Sequence, residues 1–190
     1  MSFWKFLDEK NGSIVSRHGS TTWTIGKWEH TEGMISACSN GFHCSPTIQA
    51  AFSYVQGNVL ALVEVRGEEA LESNKSAHAD MKIIKAYRWT KNDSVALAIH
   101  VAELVIGIFE DAFPADDRPR KAIEAARAYL QTGNSDAAAA RAAAAAYADD
   151  ADAARADFTG QIEAWMQERV STLEEITPPR HTEFSSLNDD

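Results

Sequence analysis

Residues 81–109 read MKIIKAYRWTKNDSVALAIHVAELVIGIF, and the fold turns on this stretch. Its first nine residues alternate. Met81, Ile83, Lys85, Tyr87 and Trp89 share one side, and Lys82, Ile84, Ala86 and Arg88 the other, with the period of two of a β-strand. Its last fifteen place Leu97, Val101, Leu104, Val105, Ile108 and Phe109 at helical spacing, apolar enough for a central core helix running to about Ala112. Between them, Asn92-Asp93-Ser94 is a helix-capping cluster. The charge changes here too. Residues 1–92 carry 10 Lys+Arg and 9 Asp+Glu, whereas residues 93–190 carry 8 and 19, so a net of −11 follows a net of +1.

Upstream, the punctuation is that of a small β domain. Phe3 to Leu7 opens a first strand, and Asn11-Gly12 is a turn signal before Ile14 and Val15. Thr21 to Ile25 has strand propensity. Asn40-Gly41 predicts a second turn, feeding a short extended segment that ends at Cys44. Ser45-Pro46 opens a short helix over Thr47 to Val55, with Ile48, Ala51, Phe52 and Val55 on one face. Val59 to Val65 is a nearly continuous apolar strand, which predicts burial on both faces.

Downstream, Phe113-Pro114 stops the long helix, and Asp116-Asp117-Arg118-Pro119 caps the next, acids at its positive end. That helix carries Ile123, Ala126, Tyr129 and Leu130 and closes at Gly133. An alanine-rich helix follows from Ala137 to about Ala156, then an amphipathic segment from Gln161 to Glu175. Gly160 either separates these two or weakens one long helix by about 1 kcal/mol. Alanine faces bury little area, so such helices need large residues such as Tyr129, Phe158, Trp165 and Met166 to hold them down. The expected architecture is α+β: a β-rich domain with one short helix over residues 1–92, an acidic, alanine-rich antiparallel helical bundle over 93–176, and a tail over 177–190.

The overall charge of −10 argues against direct nucleic-acid binding, which needs a basic footprint, and suits a protein partner with a basic surface. No apolar run is long enough to span a bilayer, and no secretory signal opens the chain. Two cysteines, Cys38 and Cys44, are no disulfide framework, so a cytoplasmic protein with reduced thiols is expected.

Two longer patterns carry resemblances. Trp23, Gly26, Lys27 and Trp28, then Cys38-x-Asn40-Gly41-Phe42-His43, Glu64-Val65-x-Gly67, Lys75-Ser76 and Met81-Lys82-Ile83 occur in an order that resembles a small domain found in bacteriophage and prophage genomes. The stretch from about Leu97 to Tyr147, with its core from Phe113-Pro114 through Asp116-Asp117-Arg118-Pro119-Arg120-Lys121 to Ala126, is similar to the helical module of immunity proteins, which typically continues into an alanine-rich helix. These resemblances imply an interaction protein of phage or prophage origin acting in the host cytoplasm. The expected activity is inhibition of a bacterial defence component by an acidic helical surface. Asp149, Asp150, Asp152 and Asp157 are its candidate partner-binding residues. The partner would be a basic bacterial protein, such as a nucleic-acid-binding component of host defence. Exposed alanine faces also suit a homodimer.

An enzymatic alternative rests on a different likeness. His18-Gly19-Ser20, Gly41-Phe42-His43, Tyr54 and Leu60 to Gly67 follow the order of the nucleotide-binding elements of ADP-ribosyltransferases. This implies His18, Tyr54 and Glu64 as catalytic candidates and NAD as the ligand. An accessory virion protein is a third alternative. No cofactor or metal is expected. Cys38, His43 and Cys44 lack the paired short spacing of structural zinc, and a core thiol with a turn histidine explains them as well. Asp149-Asp150-x-Asp152 reads as a solvated acidic face.

Overall fold

The computed structural model of the chain describes residues 2–132 and 151–177, with side chains from Phe158 onward in the second stretch. The fold is mixed α+β, an antiparallel sheet that nearly closes into a barrel and, among the described residues, four helices. Strands β1 (Phe3–Lys10), β2 (Ser13–Val15), β3 (Thr22–Trp23), β4 (Trp28–His30) and β5 (Phe42–Cys44) precede helix α1 (Ile48–Tyr54). Strands β6 (Val59–Leu71) and β7 (Ser76–Arg88) then lead to α2 (Lys91–Ala112), α3 (Arg118–Thr132) and α4 (Ala151–Val170).

The sheet order is β3-β2-β1-β6-β7-β4, and β5 also pairs with β7, beyond the end of β4. Two backbone hydrogen bonds, Trp4 N–H to the Ser45 carbonyl at 2.8 Å and Ser45 N–H to the Trp4 carbonyl at 2.9 Å, then return β5 to β1. The circuit β1-β6-β7-β5-β1 is thereby nearly closed. The tight turn after β1 uses Asn11 at φ 52° and Gly12 at φ 76°, the paired positive values of a hairpin turn.

Alternation along the strands makes two cores. Leu7, Ile14, Trp23, Cys44, Val59, Ala61, Val63, Met81 and Ile83 fill the interior of the curved sheet. Trp4, Phe6, Leu60 and Trp89 face outward and are covered by Ile48 and Ala51 of α1, Leu97 of α2, and Ile162 and Met166 of α4. The strand at Val59 is therefore buried on both faces, as its apolar run predicts. Trp89 sits at the junction. It meets Phe6 edge-on at 5.5 Å between ring centroids, leans on Phe52 at 5.8 Å, and donates its indole N–H to Ser94 Oγ at 2.9 Å.

Helices α2 and α3 form an antiparallel pair. Ile99, Ala102 and Ile106 meet Ile123 and Ala126, and Val95 and Leu130 pack beside them. Ion pairs run along the seam: Glu110 with Arg120, and Glu103 with Arg127. Helix α4 is tied in by polar contacts as well. Arg169 donates two hydrogen bonds to Asp93 Oδ1 at 2.8 and 2.6 Å. The Glu163 carboxylate accepts the Ile48 and Gln49 amides at 3.2 and 2.9 Å, capping α1.

Several boundaries differ from the sequence expectation. Helix α2 starts at Lys91, because Thr90 forms a reciprocal capping box with Asp93, a member of the expected cluster. Helix α1 is capped by Thr47 rather than Ser45, whose backbone is committed to Trp4. The β6–β7 hairpin extends through residues 66–80, past a bulge between Arg66 and Glu69. Helix α4 continues through Gly160, so this glycine does not divide it. The alanine-rich tract over 137–150 lies outside the described residues, and so do Pro178 to Asp190. The α2–α3 pair is seen; the bundle that tract would complete is not. No described helix is long and apolar enough to cross a membrane.

Candidate functional site

A cleft of about 230 Å³ opens where β1, the segment after β2, the turn before β5 and the end of α1 meet. Its lining includes Trp4, Lys5 and Phe6 of β1, Arg17 and His18 beyond β2, Cys38, His43, Cys44, Tyr54 and Lys75. None of its lining residues is Asp or Glu. In a chain of net charge −10 the cleft collects two lysines, an arginine and two histidines.

Lys5 lies on the same face of β1 as Phe3 and Leu7, the face turned to the sheet interior. Its half-buried ammonium donates to the His43 carbonyl at 2.6 Å and stands 6.0 Å from the Trp23 ring centroid. Among the described residues it has no carboxylate partner. Burial disfavours its charged form and pulls its pKa from 10.5 down to about 8, against a smaller opposing pull from the Cys44 thiol. Lys75 is the reverse case. It contacts Cys38 Sγ at 2.8 Å and Glu72 at 3.2 Å, and these partners hold its pKa up at about 12. Its ammonium also stands 4.6 Å from the Tyr54 ring centroid, a cation–π contact. Arg17 bonds Asp8 at 3.2 Å and the Gln56 carbonyl at 2.8 Å.

The turn before β5 fixes the other wall. Cys38 adopts φ 64°, uncommon for a residue with a side chain. Its amide donates to His43 Nε2 at 2.9 Å, so the neutral imidazole carries its proton on Nδ1. Burial first, then the charges of Lys5 and Lys75, lower the His43 pKa and keep the ring neutral. Gly41, at φ 117°, lets the turn press on β7, where a Cβ would lie 3.1 Å from both Ala77 Cβ and Ile35 Cγ2. Cys44 is buried with its sulfur 3.6 Å from Ser76 Oγ, and burial raises its pKa. The three zinc candidates thus point to three different partners. Among the described residues no group of three His, Cys, Asp or Glu side chains converges for a metal.

The structure brings His18 and Tyr54 to this one cleft and leaves Glu64 out of it. Tyr54 gives its hydroxyl hydrogen to Asn74 Oδ1. Glu64 points outward between Val63 and Val65 and pairs with Lys82 at 2.7 Å, which lowers its pKa. Asp149 and Asp150 lie outside the described residues, and Asp152 and Asp157 fall on α4 where side chains are not described. Near the α2–α3 turn, Asp116 accepts the Arg118 amide at 3.1 Å and its guanidinium Nε at 2.8 Å, which holds the carboxyl at about 2. His100 stacks on Trp165 with the rings 14° apart. Sequence reasoning missed Lys5, Lys75 and Arg17. Lys5 had one usable signal: a single charge inside the apolar strand Phe3-Trp4-Lys5-Phe6-Leu7.

Residues 5–93 match the family model described as a domain of unknown function, DUF7666. Residues 88–167 match the model described as "Imm-5 like putative immunity protein". The second begins at the last residue of β7 and takes in α2, α3 and most of α4. No curated protein and no solved structure matches the chain. The Imm-5 like match fits a protein-interaction or immunity-type role.

Proposed function

We propose that this chain is an immunity-type interaction protein, of phage or prophage origin, that inhibits a bacterial defence component through an acidic surface of its C-terminal helical module. The observation that carries the reading is where charge is left over. All four cations of α3 are paired with acids: Arg118 with Asp116, Arg120 with Glu110, Lys121 with Asp117 and Arg127 with Glu103. Residues 93–132 keep a net of only −3, and residues 133–190 hold −8, with Asp149, Asp150, Asp152 and Asp157 among them. An inhibitor of this kind needs no reactive group. It needs concentrated charge to steer a basic partner, and a rigid scaffold behind it.

The Imm-5 like match over residues 88–167 supports the interaction role. The transferase alternative gains His18 and Tyr54 in one cleft but no carboxylate beside them. The test is affinity capture from bacterial lysate with the full chain, at low and high salt. One stoichiometric basic partner, released by salt and lost on charge reversal at Asp149, Asp150 and Asp152, is expected. Capture undiminished by that triple reversal overturns the acidic-surface reading.

A further inference from the structure

We propose that the cleft around Lys5 is a binding site for a small phosphate-bearing molecule with a flat ring, of the size of a mononucleotide. This reading is independent of the acidic helical surface.

The cleft lacks a counter-charge for Lys5. A half-buried ammonium held between a carbonyl and an aromatic ring, with no carboxylate partner among the described residues, is costly to keep. Lys5 is in that position, in a chain with 28 Asp and Glu to draw upon. Every other lining cation has a carboxylate beside it: Arg17 has Asp8 and Lys75 has Glu72. Both carboxylates stand outside the lining. An anion bound between Lys5, Arg17 and Lys75 would supply the charge that the fold withholds.

Among the described residues Lys5 alone of these cations lacks a carboxylate, but Arg17 and Lys75 each hold theirs by one contact at 3.2 Å, so their other N–H groups can turn to an anion in the cleft. A phosphate monoester, with three acceptor oxygens, can take a hydrogen bond from each, and lysine is a common point-charge partner for it. The cleft also has an apolar side, to which Tyr54 and Val55 at the end of α1 contribute, as ligand sites with a few placed polar groups have. That side suits a flat ring, while the phosphate faces the lysines.

The groups facing Lys5 decide how binding depends on pH. They are His43 and Cys44 of β5, Trp23 of β3, and the cleft's Arg17, His18, Cys38, Tyr54 and Lys75. Burial favours the neutral forms of His43 and of the Cys44 thiol, and the contacts of Lys75 with Cys38 and Glu72 favour its charged form. A bound phosphate restores the Lys5 charge, so complex formation near pH 8 takes up a proton.

The experiment is calorimetric titration of the full chain at pH 8 with AMP, UMP, ribose 5-phosphate, inorganic phosphate and acetate, in buffers of different ionisation enthalpy. AMP and UMP are expected to bind at least tenfold more tightly than inorganic phosphate, acetate more weakly still, with net proton uptake. Lys5→Met, which keeps the apolar stem, should weaken AMP binding at least tenfold and abolish the uptake. Arg17→Gln, at a more exposed position that folding tolerates, should weaken it several-fold. No heat with any phosphate at millimolar concentration overturns the proposal. So does AMP binding indifferent to both variants, or inorganic phosphate bound as tightly as AMP.

Discussion

Two interfaces hold the helices, and they are built from opposite materials. Around Trp89 the contacts are large and aromatic. Trp4 and Phe6 project from the outer face of the sheet, Phe52 and Met166 pack against this cluster, and Met166 is fully buried. Between α2 and α3 the contacts are small. Isoleucines and alanines meet along one stripe, and ion pairs line its borders. Burial energy scales with apolar area, so the first interface should carry stability. Exposed ion pairs contribute about 0–1 kcal/mol each, so the second should set alignment and little else.

The largest break is expected at the aromatic interface. Trp89→Ala should cost about 3–5 kcal/mol, the range for removing a buried aromatic side chain. Denaturant unfolding would measure it. Arg120→Ala, at the other interface, should shift the same midpoint by less than about 1 kcal/mol. Equal losses from the two changes would show that the comparison is drawn wrongly.

Next comes the polar tie across the aromatic interface. Asp93 is 3 % exposed and takes two guanidinium hydrogen bonds from Arg169. Arg169→Ala leaves that carboxylate with its Thr90 contacts alone, at a cost of about 2–3 kcal/mol. A loss no larger than that of Arg120→Ala would mean the tie is redundant.

Inside the sheet, pH is the test of Lys5. Between the folded pKa of Lys5, about 8, and the ordinary lysine value of 10.5, the unfolded chain holds a proton that the folded chain has shed. Stability from this site therefore rises with pH across that window and is constant below it. Cys44, whose pKa is raised from 9.0, works in the opposite direction at the upper end. Comparing wild type with Lys5→Met in a Cys44→Ala background removes the Cys44 contribution from both. The stability of the wild type relative to Lys5→Met should rise steadily from pH 8 to pH 10. A constant difference would place Lys5 in ordinary solvent.

The smallest effect is a gain. Gly160 lies inside α4, and a Cβ there would meet nothing within 4 Å. Gly160→Ala should stabilise by about 0.5–1 kcal/mol through the lower entropy of the unfolded chain. A loss of stability would mean that the helix does not run straight through this position.

The elements differ in how plainly the sequence announces them. Val59 to Val65 was readable because burial on both faces leaves no polar positions to blur the run. The Asn11-Gly12 turn was readable because few residues accept two consecutive positive φ values. The start of α2 was misplaced by four residues because two capping clusters overlap, and Thr90 outcompetes Asn92 by pairing with Asp93. The extended β6–β7 arm was missed because Arg66 to Lys75 is largely solvated, so its alternation carries no hydrophobic signal. The cleft was legible only in pieces. His18 and Tyr54 came from an order of motifs, but Lys5, Arg17, Cys38, His43 and Lys75 come from separate segments that only the closure of the sheet assembles. Glu64 had the right neighbours in sequence and the wrong side of the strand.

The return of β5 to β1 reaches beyond the shape of the sheet. An open sheet presents a row of unpaired amides and carbonyls that can recruit another molecule's strand. Here the two ends of the strand order are β3, two residues long, and β4, three residues long. Strand β6 has β1 beside it only from Val59 to Val63, and its remaining free edge, Glu64 to Leu71, carries Glu64, Arg66, Glu68 and Glu69, charges that blunt an edge. Short end strands and a charged free edge thus leave the described sheet little template for strand-by-strand aggregation.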